Sequence, residues 1–428
     1  MIIKYNESLQ IQRLKQSIET ARKSEFYRER LKDIEINSLE DIKKIPFTTK
    51  DELREAGCYG LVAVPRTQLV EYHESFGTTG IPVSSWRTEN DCRQSTRVIT
   101  AHGIDFYSDD IVFIRNPYAL SSPAHEIQAA AREAGACVVP VSTRSDITSY
   151  SRTVNLLHKL QPTIMTCIPI EGFFLAETAK LMGLDPKTDF PVLRAFYCAG
   201  ELMNEKRRCV LEKIWGIDIL MYYGSTEMGT MGSACKHKHI HLYPENYLFE
   251  ILNPETMENV KPGEKGTLVV TTLAREAQPI FRFNTGDIVE IVEHHFCLCG
   301  SKHPILKHYG RYEDRIVINN HVLLFSDLQD IVYSFRATSF WKAFVNENQL
   351  EIRIESEDVE QEVDQRLVWK LQEQYDFPFT VTLVKEGDIF EREILLKQSP
   401  IGKPTYVVDN LREIKEEDIN PFISITNS

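Results

Sequence analysis

Apolar positions recur at roughly helical spacing from Leu9 to Leu31, and the segment "DIEINSLEDIKKIPFTTKDELREA" that follows reads as turn, short helix, turn and helix. From Asp110 the texture changes. The runs "IVFIR", "CVVPV", "TIMTCI", "RAFYCAG" and "IDILMYYG" are short, apolar and rich in β-forming residues. Amphipathic segments of helix length lie between several of them, as at Ser149 to Leu160 and Asn204 to Trp215. Strands alternating with helices predict βαβ units around a buried parallel sheet.

After Tyr223 strands dominate: "YLFEIL", "GTLVVTTL" and "FRFNTGDIVEIVE", with the turn-like "NPETMENVKPGEKG" joining the first two as in a hairpin. From about Arg315 the strands "IVINNHVLLF", "QLEIRIE" and "FTVTLVK" alternate with one clear helix, Val359 to Tyr375. That stretch reads as a separate α+β domain of about a hundred residues, a common domain size. The boundary falls near "YGRYEDR", which divides the chain into a large domain, 1–310, and a small mobile one, 311–428.

Composition narrows the class. The chain has 428 residues, 42% hydrophobic and 26% charged, an ordinary globular balance with room for a large core. A formal charge of −13 excludes a general nucleic-acid or acidic-membrane binder, which needs a positive field. The amino-terminal segment has no apolar core before a small-residue cleavage site, and no run approaches the length of a membrane span. Nine cysteines, an odd number scattered along the chain, read as reduced thiols, and the expected location is cytoplasmic.

Five short motifs carry candidate chemistry. Ser75, Gly77, Thr78, Thr79 and Gly80 form a small-residue, hydroxyl-rich loop whose backbone amides can make an anion nest. Gly80 is followed by Ile81 and Pro82, so the Gly-Lys-Ser/Thr ending of a P-loop is missing and the balancing cation must come from elsewhere. "YYGSTE", Tyr222 to Glu227, follows an apolar strand and puts an acid where sites gather in α/β sheets. "FRFNTGD" ends on Asp287, "GRYEDR" contributes Arg311, and "SPIGKPTYVVDN" carries Lys403. Singly, each is an ordinary turn or surface residue.

Their order resembles the adenylate-forming, acyl-CoA synthetase-like superfamily, and the phenylacetate-CoA ligase branch most closely. "SEFYRERL", "IPFTTKDELREA", "LVAVPRTQLVEYHESFGTTGIP", "LVVTTLAREAQPIFRFNTGD" and "CLCGSKHPILKHYGRYEDRI" all look like that branch. The likeness is strong through about Asp314 and weaker afterwards. It implies a large amino-terminal adenylate-forming domain with parallel βαβ sheets and a β-rich subdomain, plus the small α+β domain.

Carried over by position, Ser75, Gly77, Thr78, Thr79 and Gly80 match the loop that holds the β- and γ-phosphates of ATP. Gly200, Glu201, Tyr222, Tyr223 and Gly224 match segments that line the adenine. Thr226 matches the α-phosphate ligand and Glu227 the Mg²⁺ ligand. Asp287 matches the ribose-binding aspartate, Arg311 the arginine at the domain junction, and Glu313 the hinge. Lys403 matches the lysine that reaches the α-phosphate and the substrate carboxylate during adenylation.

Cys235, His241, Cys297 and Cys299 make a chemically complete tetrahedral zinc set, with His237 and His239 as competing nitrogen ligands. On spacing alone reduced core thiols outweigh a metal, because Cys-x-Cys is less diagnostic than Cys-x-x-Cys. The resemblance reverses that preference, since the branch includes members with a structural zinc at matching positions. Cys58, Cys92, Cys137, Cys167, Cys198 and Cys209 are expected to be buried packing residues.

Three departures stand out against the branch. "INNHVLLF", with Asn319 and Asn320, replaces a glycine-containing turn that lets pantetheine pass. Lys403 is followed by Pro404 and Thr405 rather than by basic residues, and Gln128-Ala129 stands where the branch places a His-Tyr pair. The expected activity is ATP- and Mg²⁺-dependent formation of an acyl- or aryl-adenylate with release of pyrophosphate. The acyl group then passes to coenzyme A or to a carrier-protein phosphopantetheine. An adenylating enzyme that serves a carrier protein or an amine, and a zinc-stabilised scaffold without turnover, are the alternatives. The partner is a small-molecule carboxylic acid, with no nucleic acid and no membrane; homodimerisation is left open.

Overall fold

In the computed structural model the described residues are 1–75, 81–143, 145–292, 297–335, 340–347, 349–356, 362–397 and 405–409. The amino-terminal pattern forms two helices rather than one. α1 (Glu7–Ala21) starts at Asn6, whose side chain accepts from the Leu9 N–H, and α2 (Glu25–Arg28) starts at Ser24. α3 (Lys50–Glu55) begins in a reciprocal capping box between Thr49 and Glu52. A two-stranded antiparallel hairpin follows, β1 (Leu69–Glu74) with β2 (Ser84–Thr88), and leads into α4 (Glu89–His102).

The predicted alternation is then realised in full. β3 (Ile111–Ile114), α5 (Ser122–Glu133), β4 (Cys137–Pro140), α6 (Tyr150–Leu160), β5 (Ile164–Cys167), α7 (Pro169–Leu181), β6 (Ala195–Cys198), α8 (Glu205–Trp215) and β7 (Asp218–Ser225) succeed one another. The strands pair in parallel in the order β4-β3-β5-β6-β7. The inner strands β5 and β6 are buried on both faces and read as continuous apolar runs, whereas the edge strand β4 is partly exposed. One such face packs Phe113, Met165, Phe196 and Ile219 against Phe173, Leu211 and Trp215 of the helices.

At β7 the sheet changes character. β8 (Gly229–Ala234), β9 (Ile240–Leu242), β10 (Tyr247–Leu252), β11 (Gly266–Thr272), β12 (Phe283–Val292) and β13 (Ile305–Arg311) extend it with antiparallel pairs, and β10–β11 is the expected hairpin. The whole is one eleven-stranded sheet, β10-β11-β12-β13-β9-β8-β7-β6-β5-β3-β4. α1 lies on the antiparallel half, where Leu14 and Ile18 join Phe249, Leu268 and Phe281 in the core.

Beyond β13 come β14 (Ile316–Ile318), β15 (His321–Leu323), α9 (Phe325–Val332), β16 (Trp341–Asn346), β17 (Gln349–Ser356), α10 (Gln365–Tyr375), β18 (Phe379–Lys385), α11 (Ile394–Lys397) and β19 (Val407–Asp409). A separate four-stranded sheet, β18-β17-β16-β19, has its own core around Trp341, Leu350, Ile352 and Leu371. No helix among the described residues is long and apolar enough to cross a membrane.

Three expectations need correction. "IVINNHVLLF" is not one strand but the tight hairpin β14–β15, because Asn319 and Asn320 sit at φ 50° and 67°. Asparagine is among the few side chains that tolerate this region, and two such residues in succession suit a two-residue hairpin turn. The helix expected from Val359 to Tyr375 is α10, which begins at Gln365 because Asp364 caps it by accepting from the N–H groups of Arg366 and Leu367. Of the six cysteines assigned to the core only Cys167 and Cys198 are buried; Cys58, Cys137 and Cys209 are exposed and Cys92 is half-buried. Short apolar runs place a residue on a strand or helix but do not say which face it takes.

The turn makes a measurable demand. Asn319→Val should lower stability by about 1–2 kcal/mol in urea unfolding, since a β-branched residue is strained at positive φ. Asn319→Gly should cost little; equal losses in the two variants would show that backbone conformation is not the reason.

Candidate active site

The hydroxyl-rich loop hangs from the β1–β2 hairpin. Ser75 donates its N–H to the Val83 carbonyl at 3.0 Å, and the Val83 N–H returns a bond to Ser75 Oγ at 2.9 Å. Ser75 therefore ties the base of the loop. Gly77, Thr78, Thr79 and Gly80 lie outside the described residues, as does Lys403. On the far side of the loop Arg54 of α3 donates to the Ile81 carbonyl at 2.9 Å, so this helix is docked against the loop's exit.

The same helix carries a residue that the motifs did not reveal. Lys50 Nζ lies 3.7 Å from Glu227 Oε1, and Glu227 is only 5% exposed. A lysine in the first turn of a helix opposes the helix dipole. That misplacement is the one signal in the sequence that could have drawn attention to it.

Thr226 and Glu227 sit in the turn between β7 and β8, where the sheet passes from parallel to antiparallel pairing. Ser225 pairs with Gly229, and Ser225 Oγ accepts from the Met228 N–H at 3.2 Å. The turn is tight because Gly224 has no side chain: a Cβ there would stand 2.4 Å from the Gly229 carbonyl oxygen. A register shift between Tyr223 and Gly224 bends the strand at this point.

Tyr222 and Tyr223 point to opposite faces, as neighbours on a strand must. Tyr222 is buried and stacks on Tyr197 with ring centroids 4.6 Å apart, and its hydroxyl accepts from Asn116 Nδ2 at 3.4 Å. Tyr223 turns the other way, and its hydroxyl donates to Asp287 Oδ2. His308 closes the group, with Nε2 3.4 Å from Asp287 Oδ1 and its ring against Tyr223 at 5.6 Å. Burial alone would raise the Asp287 pKa; His308, the Tyr223 hydroxyl and Arg311 outweigh it and hold the carboxyl below its ordinary range.

Arg311 is drawn in by register, standing opposite Asp287 across the β12–β13 ladder. Its side chain is 49% exposed and meets Glu313 at 3.1 Å. Gly200 takes φ 85°, a conformation that glycine adopts freely. Glu201 faces neither Tyr223 nor Glu227 by any contact; its carboxylate lies 2.9 Å from buried Arg207 and accepts from the Ile170 N–H at 3.1 Å.

A second cluster lies at the other end of the β8–β9 region. One donor atom each from Cys235, His241, Cys297 and Cys299 fall within 4.8 Å of one another. The Cys235–Cys297 Sγ distance is 3.7 Å and Cys299 Sγ to His241 Nε2 is 3.3 Å. Tetrahedral bonds of about 2.3 Å to sulfur give edges of about 3.8 Å, so this donor set could hold a metal ion. His241 Nδ1 bonds the His303 carbonyl at 3.0 Å, which turns Nε2 towards Cys299. Of the competing histidines, His239 reaches Cys297 Sγ at 3.4 Å from outside the four. Burial and the neighbouring thiols push Cys297 up to about 12, the cost of gathering thiols without a cation.

Comparison with known proteins identifies the family. The family described as "AMP-binding enzyme" matches residues 77–273. The phenylacetate-coenzyme A ligase of Thermus thermophilus is 30% identical over 311 residues, 68% of this chain and 67% of the relative. The chain belongs to the phenylacetate-CoA ligase branch of the adenylate-forming enzymes. The corresponding enzyme of Pseudomonas putida is 28% identical over 77% of this chain and 76% of its own. Among solved structures, a 2-hydroxyisobutyryl-CoA ligase in its postadenylation state, at 20% identity, superposes with a TM-score of 0.82 over 95% of this chain and 90% of that one. The same ligase in its thioesterification state gives 0.66 over 94% and 89%. Membership makes the chain an AMP-forming acid ligase that activates a carboxylic acid with ATP.

The Gly224 contact can be tested directly. Gly224→Ala should lower stability by about 1–3 kcal/mol, because a backbone oxygen rather than a flexible side chain must move. An alanine variant with unchanged urea midpoint would show that the turn has slack.

Proposed function

We propose that this ligase passes its acyl group to coenzyme A, and that the residues named above divide the two half-reactions between two lobes, 1–310 and 311–428. In the first, a carboxylate oxygen bonds to the α-phosphorus of ATP as the bond to pyrophosphate breaks. Pyrophosphate leaves with the electron pair. In the second, the thiol sulfur bonds to the acyl carbon and AMP departs. The names of the relatives, all phenylacetate-CoA ligases, support coenzyme A as the acceptor.

The observation that carries this reading is the turn at Thr226–Glu227. It stands where the sheet passes from parallel to antiparallel pairing, with a buried carboxylate and the Lys50 ammonium 3.7 Å away. Anion must meet anion here, so positive charge has to be supplied where the transition state needs it. Glu227 would hold Mg²⁺, which supplies such charge when bound. Lys50 gives the large lobe a cation of its own beside Glu227. Ser75, Gly77, Thr78, Thr79 and Gly80 would cradle the β- and γ-phosphates, and Thr226 hydrogen-bonds the α-phosphate. Asp287 binds the ribose diol, with Tyr223 and His308 holding its carboxylate ionised and oriented. Gly200, Glu201, Tyr222, Tyr223 and Gly224 frame the adenine, Glu201 through its backbone because its carboxylate is taken by Arg207. Arg311 and Glu313 stand at the lobe junction, where the small lobe turns. Lys403 delivers a second ammonium during adenylation and withdraws afterwards.

The acid is an aryl or acyl carboxylic acid, and Gln128, which accepts a hydrogen bond from the Tyr118 hydroxyl at 3.0 Å, marks a wall unlike the His-Tyr pair of the branch. Acid-dependent ATP–pyrophosphate exchange over aromatic, fatty and hydroxy acids tests the reading. Exchange with some acid, followed by a thioester when coenzyme A is added, is expected. Exchange without a thioester would favour a carrier protein or an amine as acceptor. Lys403→Ala should slow exchange about 10²- to 10³-fold while leaving thiol capture from preformed adenylate intact. Equal loss of both half-reactions would contradict a moving lysine.

Cys235, His241, Cys297 and Cys299 would hold a structural Zn²⁺, closed by four protein ligands. Protein purified without chelator should carry close to one equivalent, and Cys299→Ser should bind less and unfold at a lower temperature. Less than about half an equivalent in the unmodified protein would count against zinc.

A further inference from the structure

Besides the hydrogen bonds of Asn204 and Lys206 to α9, two contacts between the carboxyl-terminal part and the helices of the large sheet differ in chemistry. One is apolar: Phe174 of α7 stacks with Phe390 and Phe340 at 5.1 and 6.0 Å between centroids, and Arg392 reaches Glu177 of the same helix at 3.1 Å. The other is polar and fully buried. Arg207 on α8 has 0% exposure and donates from Nη2 to the Tyr406 hydroxyl at 2.7 Å and from Nη1 to the Leu202 carbonyl at 2.9 Å.

Tyr406 belongs to the opposite body. Its ring stacks on Trp341 at 4.6 Å between centroids, and its carbonyl accepts from the Ala343 N–H at 2.8 Å, just before β19 pairs with β16. Glu201, 2.9 Å from Arg207, neutralises the guanidinium, and the Leu202 carbonyl and the Tyr406 phenol satisfy donors that would otherwise be stranded out of water. A buried donor left unmade is more costly than a hydrogen bond is favourable, and more so on a charged group. The phenol therefore satisfies one donor of the arginine across the seam, and a turn of the small lobe that parts Tyr406 from α8 must undo that contact. Tyr406 also lies three residues after Lys403, so what holds Tyr406 holds the strand next to the lysine in sequence. The chain matches the 2-hydroxyisobutyryl-CoA ligase better in its postadenylation than in its thioesterification state, with TM-scores of 0.82 and 0.66.

We propose that Arg207 and Tyr406 form an orientation-specific latch, made in the adenylation arrangement of the lobes and broken for thioester formation. Both are positioning residues. The latch rests on the two-lobe reading above. It predicts an asymmetry between half-reactions that a packing role would not produce.

Tyr406→Phe tests it, because the ring still stacks on Trp341 and only the hydroxyl, with its bond from Arg207 and its contact with Glu201, is lost. ATP–pyrophosphate exchange, with phenylacetate or the fastest acid of the panel, should fall about ten-fold. Thioester formation from the corresponding preformed adenylate and coenzyme A should stay within about two-fold of the unmodified enzyme or rise. Small-angle X-ray scattering of the ligand-free variant should show a larger radius of gyration. Equal losses in both half-reactions, or no change in either rate and an unchanged scattering curve, would overturn the latch. If the unmodified enzyme exchanges pyrophosphate with no acid, the proposed function fails, and scattering alone then decides whether Tyr406 holds the lobes.

Discussion

Gly224 and Gly229 meet backbone to backbone, with no room for a Cβ on the first beneath the carbonyl of the second. This approach lets the strand that ends the parallel half of the sheet turn back at once and begin the antiparallel half. Everything chemical is arranged around that reversal. Tyr223, just before it, reaches Asp287 on β12; Glu227, within it, is buried beside Lys50. A bulkier residue would open the turn and move both partners by the width of a methyl group. A site that depends on hydrogen-bond distances tolerates little of that.

The acids of the cleft are then held in different ways. Asp287 is gripped by a hydroxyl and an imidazole, which keep it ionised and fix its direction. Glu201 is locked against a buried arginine. Glu227 has the loosest partner, an ammonium at 3.7 Å whose own side chain is 38% exposed. A loose, half-solvated cation can yield its place at low cost, whereas a desolvated guanidinium pair cannot. The gradation fits one acid that must accept an incoming cation and others whose task is to stay where they are.

The cysteine and histidine cluster lies at the thinnest seam of the large sheet. β9 and β13 share only the pairs Ile305 with His241 and Leu306 with Ile240. His241 is itself on that seam, Cys235 follows β8, and Cys297 and Cys299 precede β13. Ligands drawn from both sides would reinforce a junction that the hydrogen-bond ladder leaves weak. Through that junction the β7–β8 turn is linked to the strands that carry Asp287 and Arg311.

Much of this was legible in the order of residues alone. The short apolar runs from "IVFIR" to "IDILMYYG", alternating with amphipathic helices, pointed to a parallel sheet. The motif order from Ser75 to Lys403 pointed to the branch because those residue types serve one chemistry in one sequence of steps. What the order could not supply was which face each side chain takes and what lies across from it. The burial of Cys167 but not Cys58, the hairpin at Asn319 and Asn320, and the start of α10 at Gln365 were all decided by packing and capping. Lys50 beside Glu227, His308 against Asp287 and Tyr406 on Arg207 join residues 177, 21 and 199 positions apart. No local pattern encodes such pairs, because a charge finds its partner only after strands and helices between them have closed.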